Sequence, residues 1–182
     1  LPLKHINFFD KNNKPFFSMK SEHHQPYYDV IKKLFNLLHI NEQSYIAEHM
    51  MFNKEIMKSL IKTISSNESL DGNNWVEKII NTSDPQEYSS FSEFETYGNF
   101  CNSFYPQFYQ QRYLPSFRGG SFISGRFISD RILKEISFDT FSISFEIYQD
   151  PRFPWNLINR SYNKIIQYLN YKRFILKNRN NK

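Results

Sequence analysis

A chain of 182 residues (22.0 kDa) is long enough to bury one core, and its 40% apolar content, with 19 Phe and 12 Tyr, excludes a disordered polymer. A net charge of +5 permits an anionic partner without requiring one, and the lone Cys101 excludes an intrachain disulfide framework or a multi-cysteine metal site. No run approaches the roughly 20 apolar residues that a membrane-spanning helix needs. Leu1-Pro2-Leu3-Lys4 has neither an initiator Met nor a signal-peptide pattern and reads as a chain that begins in the middle of something. The expected setting is reducing and cytoplasmic, with a peripheral place at a membrane left open.

Ile6, Phe8 and Phe9, interrupted by Asp10 to Pro15 and resumed by Phe16-Phe17, predict a hairpin or strand pair with a connecting loop. Pro26 allows a helix to start but not to pass through. The helix expected over Tyr27 to Leu38 carries Val30, Ile31, Leu34 and Phe35 at three- and four-residue steps. Asn53-Lys54-Glu55 is a cap with an acid in the first turn, and it opens a helix to about Ile64. Ser65 to Asn74 is a loop by composition. Trp75, Val76, Ile79 and Ile80 mark a short helix that ends near Asn81.

The densest stretch runs from Ser89 to Phe100. Ser92 and Glu95 have the spacing of a capping box, in which the serine accepts from a backbone N–H and the glutamate reaches back to the serine N–H. A helix follows from Glu93 to about Phe104, stopped by Pro106. Gly98 weakens it by about 1 kcal/mol relative to Ala, which makes sense where another backbone or a ligand packs closely. Cys101 reads as a small buried apolar side chain.

Arg112 to Phe127 suggests short strands with tight turns at Gly119-Gly120 and Gly125. Ser129-Asp130 caps a further helix, and Phe141 to Ile147 alternates as a half-buried strand. Trp155 to about Phe174 has helical spacing. We expect a single domain over residues 1–175 and a frayed basic tail over 176–182, the whole being mixed α/β with helices packed on a small mixed sheet.

Four segments occur in order: Phe8-Phe9-Asp10 with Lys14-Pro15, Tyr45 to Glu55, Ser92 to Phe100, and Phe138 to Glu146. Together they resemble a bacterial family of nucleotide-diphospho-sugar transferase-like proteins with a GT-A type glycosyltransferase fold. The most specific strings are His49-Met50-Met51-Phe52-Asn53-Lys54-Glu55 and Ser92-Glu93-Phe94-Glu95-Thr96-Tyr97-Gly98-Asn99-Phe100. The resemblance implies a nucleotide-sugar donor, a polysaccharide or glycolipid acceptor, and a divalent cation (Mn²⁺ or Mg²⁺) held by an Asp-x-Asp segment upstream of Leu1. This sequence would then be the acceptor-side, C-terminal portion of the fold.

Glycosyl transfer with inversion needs a base for the acceptor hydroxyl. Glu93 is the first candidate and Glu95 the second; their structural alternatives are a favourable charge at a helix N-terminus and the capping box. Tyr97, Asn99, Trp75 and Arg118 are candidates for substrate binding. Trp75, Tyr97 and Tyr113 could stack on a sugar ring, whereas aromatics in so aromatic a chain also serve the core. Arg118-Gly119-Gly120-Ser121 and Arg126 could meet phosphate, or could simply form a tight hairpin. His49 is a candidate metal ligand, with a hydrogen-bonded structural role as its alternative. His23-His24 reads as a solvated loop. Two other functions compete: a basic, aromatic-rich module for nucleic acid or an anionic surface, and a non-catalytic scaffold. The first is disfavoured because basic residues do not gather on one element before the tail.

Overall fold

The computed structural model describes residues 1–20, 22–37, 44–121 and 129–145. Expectations for Leu38, Gly125, Arg126, Phe127, Ile147, the helix from Trp155 and the tail lie outside these residues. The described chain is mixed α/β and falls into two compact units, one running from Asn7 to Leu114, the other combining Leu1–Ile6 with the described residues from Pro115 onward.

The continuous unit contains β1 (Phe16–Met19), α1 (Gln25–Phe35), α2 (Lys54–Ser66), α3 (Trp75–Thr82), α4 (Glu93–Phe104), a short 3-10 turn (Pro106–Phe108) and β2 (Gln110–Tyr113). β1 and β2 pair in parallel, Phe16 opposite Gln110 and Met19 opposite Tyr113. The expected hairpin shrinks to one antiparallel bridge, Phe9 to Pro15, because β1 takes β2 as its strand partner. The turn itself is built as its residues dictate: Asp10 Oδ1 accepts from the amides of Asn12 and Lys14, and Asn13 takes a positive φ of 60°.

The helices begin where the caps place them. Asn53 accepts from the amides of Glu55 and Ile56, and Asn74 from those of Val76 and Glu77. α1 has Pro26 in its first turn and is closed by Asn36, which adopts the left-handed conformation. Their apolar stripes meet in one core: Val30, Ile31, Leu34 and Phe35 of α1, Ile56, Leu60 and Ile64 of α2, and Tyr97, Phe100 and Cys101 of α4, with Phe17 and Tyr45. The expected core role of Cys101 is observed, and burial pushes its thiol up to about 12.

α3 departs from expectation. Its buried residue is Lys78, whose ammonium donates to the carbonyls of Ser65 and Asn67 at 2.7 Å each, so it closes the C-terminal end of α2. Of the apolar residues that mark this helix, Trp75, Val76 and Ile80 are 39%, 43% and 63% exposed, while Ile79 packs against the core.

In the second unit, β3 (Ser116–Phe117) pairs in parallel with β4 (Ser142–Ile143), and Pro2 bridges to Ser142. Ser129 caps α5 (Asp130–Ser137), as the sequence predicts. The strand expected over Phe141 to Ile147 is strand only at Ser142–Ile143 within the described residues, where β3 gives it two partners.

Candidate functional site

Glu93, Glu95, Tyr97 and Asn99 all stand on α4. Ser92 Oγ accepts from the amide of Glu95 at 3.3 Å, which is the serine half of the capping box. The glutamate half is absent. Glu95 turns inward and is fully buried, its Oε1 accepting from Ser44 Oγ at 2.6 Å and from the Tyr45 amide at 3.0 Å. Asn99 Nδ2 donates to its Oε2 at 3.2 Å and to its carbonyl. Burial raises the Glu95 pKa above its ordinary 4.5, against the lowering effect of the Ser44 and Tyr45 hydrogen bonds. Glu95, the second candidate base, and Asn99, a candidate for substrate binding, are both 0% exposed. They tie the strand-like segment at Ser44-Tyr45 to α4.

Gly98 is explained by the same junction. A Cβ there would lie 2.3 Å from Cγ of the Tyr45 ring, so the ring is stacked directly on the helix backbone. This is the close approach that the sequence implies, made by a side chain rather than by a ligand.

Glu93 is the opposite case. It stands at the first helical position, exposed, with no hydrogen-bond or ion-pair partner among the described residues. Four residues on, Tyr97 is 1% exposed, and its phenol oxygen accepts from the Asn53 amide at 2.8 Å. Burial drives the Tyr97 pKa upward, so the group stays a neutral phenol.

Tyr97 is a wall of two cavities. The first, about 360 Å³, is an aromatic cleft walled by Phe9, Phe17, Phe52, Tyr97, Phe108 and Tyr109. Asn13, Asn53 and Lys54 supply its polar groups. Phe9, Phe52 and Phe108 are 46%, 43% and 49% exposed, so ring faces remain open to a ligand. The second, about 370 Å³, is an apolar groove between α2, α3 and the start of α4, to which Trp75 and Glu93 belong. Trp75 is thus on a cavity surface, although a different one from the aromatic cleft.

His49 is half-buried beside Arg112, whose Nη2 lies 3.4 Å from His49 Nε2, and Phe8 packs edge-on against the imidazole. Burial first, then the charge of Arg112, lowers its pKa, while Glu48 acts in the other direction. A neutral imidazole accepting from a guanidinium has a structural job. Among the described residues no three His, Cys, Asp or Glu side chains come together as a metal site. Arg112, which sequence reasoning passed over, also stacks on Phe16 at 4.6 Å and donates to the Asn7 carbonyl.

Arg118 is exposed, on the second unit. Beside it the Gly120 amide donates to the Ser144 carbonyl at 3.0 Å, so this N–H is engaged within the protein and not offered to phosphate.

The sequence matches no family model, no curated protein and no solved structure. The resemblance therefore stands on its four segments alone.

Proposed function

We propose that this chain is the acceptor-side portion of a GT-A-like glycosyltransferase, transferring a sugar from a nucleotide-sugar donor to a polysaccharide or glycolipid acceptor in the cytoplasm. One observation carries the reading. Three of the four resemblance segments, separated by tens of residues, contribute to the same cleft: Phe9 and Pro15 from the first, Phe52, Asn53 and Lys54 from the second, Tyr97 from the third. Helix periodicity alone gives no reason for those segments to converge on a cavity. Exposed ring faces beside amide and ammonium groups suit a sugar, whose C–H face stacks on aromatics while its hydroxyls take hydrogen bonds.

Glu93 is the base in this reading, although it lines the apolar groove, which shares Tyr97 with the cleft, and not the cleft itself. It takes the proton from the acceptor hydroxyl as that oxygen attacks the anomeric carbon and the nucleoside diphosphate leaves. Its exposure and lack of a partner among the described residues leave the carboxylate available for the task. The divalent cation belongs, by the same resemblance, to residues upstream of Leu1, and no step is routed through it here.

The test is to assay the chain, extended upstream through an Asp-x-Asp segment, against a panel of nucleotide sugars with Mn²⁺ or Mg²⁺. Glu93→Gln should lower kcat about 100-fold or more while leaving unfolding by urea within about 0.5 kcal/mol of the parent. Absence of nucleotide-sugar turnover, or a Glu93→Gln variant as active as the parent, would sink the assignment.

A further inference from the structure

The apolar groove has a chemistry of its own. Two amphipathic helices wall it, Leu60 and Ile61 from α2 and Val76, Ile79 and Ile80 from α3, with Trp75 at the start of α3. α3 turns its lysine inward and leaves its apolar stripe facing this space, the reverse of what burial of hydrocarbon would otherwise favour. Polarity enters at the α4 end, through Glu93 and Thr96. These two lie at i, i+3 spacing on one helix face. Thr96 is 3% exposed, and its hydroxyl is buried without a hydrogen-bond partner, an arrangement that native structures seldom leave unfilled. Glu93 brings a free carboxylate to the same end.

We propose that this groove binds a single-chain alkyl amphiphile, its chain lying between α2 and α3 and an amine or hydroxyl head donating to Glu93 and Thr96. The volume, near the low end for small-molecule sites, suits one chain. The acid at the polar end selects the sign of the head: a donor or a cation is favoured and a carboxylate repelled. The inference does not rest on glycosyl transfer, since binding is its readout.

Calorimetric titration with decylamine, kept below its micelle concentration, tests it. Saturable one-to-one binding is expected, with decanoate at least tenfold weaker and butylamine undetectable. Glu93→Gln should remove the preference for decylamine over decanoate. Ile80→Asp, at a residue exposed enough to tolerate charge, should weaken decylamine at least tenfold with an unchanged circular dichroism spectrum. Should that variant unfold, Val76→Ser replaces it. Non-saturable binding, equal affinity for decanoate, or no effect of either groove substitution would overturn the proposal. So would a dimer in sedimentation that Ile80→Asp dissociates, which would assign the groove to a second copy.

Discussion

The aromatic cleft and the apolar groove are almost the same size, about 360 and 370 Å³, and share Tyr97, yet their chemistry differs throughout. The cleft takes its polar groups from a turn and a helix end: the Asp10 turn brings Asn13, and the start of α2 brings Asn53 and Lys54. Turns and helix termini carry backbone groups and polar caps, so a cavity built from them is mixed. The groove is made largely from the facing stripes of two helices, which are hydrocarbon. Polarity reaches it only where α4 begins. Cavity character here follows from which part of each element forms the wall.

The most damaging way to break this pair is at the backbone both depend on. Gly98→Ala places a methyl inside the Tyr45 ring, which is fully buried and has nowhere to go. We expect a loss of about 4 kcal/mol in urea unfolding, with both cavities disrupted. Next is Glu95→Ala, which strands the Ser44 hydroxyl and the Tyr45 amide without an acceptor and should cost about 3 kcal/mol.

Glu95 also sets a pH dependence. Its folded pKa lies above its unfolded value, so the folded state holds the proton longer. This carboxyl's contribution to stability is full below the ordinary 4.5 and is lost as pH rises through the higher folded value. Urea unfolding measured between about pH 4 and pH 8 should therefore decline more steeply with pH in the parent than in Glu95→Gln. A parallel pair of curves would mean that the buried acid is not the source.

Smaller substitutions separate the cavities. Tyr97→Phe keeps the ring but removes the acceptor for the Asn53 amide, at about 1 kcal/mol; it should alter ligand binding in the cleft and leave amphiphile binding in the groove unchanged. Thr96→Val acts the other way. Removing an unpartnered buried hydroxyl should leave thermal stability equal or slightly higher, by less than about 1 kcal/mol, while weakening the groove's hold on a donating head.

Helix starts were legible in the sequence because caps are local: Asn53, Ser92 and Ser129 all accept from amides of the first turn, as does Asn74, which composition placed only at the end of a loop. The parallel pairing of β1 with β2 was not, since the two strands are about ninety residues apart and four-residue strands carry no record of their partner. The site divided along the same line. Glu93 and Glu95 look alike in sequence, two acids in the first turn of one helix. What separates them is Ser44-Tyr45, fifty residues earlier, which captures Glu95 and leaves Glu93 in solvent. The inversion of α3 escaped the periodicity argument because that argument ranks lysine as an outward residue and cannot see the carbonyls at the end of α2 that draw Lys78 in.

The continuous unit occupies one unbroken span, and the unit outside it is assembled from chain on both sides of that span. Within the span, Arg112 holds the Asn7 carbonyl and Lys20 holds that of Leu114, so its two margins are stitched close together. A segment whose entry and exit lie side by side behaves as a removable cassette. Both cavities lie wholly inside it. Residues 7–114 therefore form a natural unit for excision, carrying the cleft, the groove and the α4 junction between them.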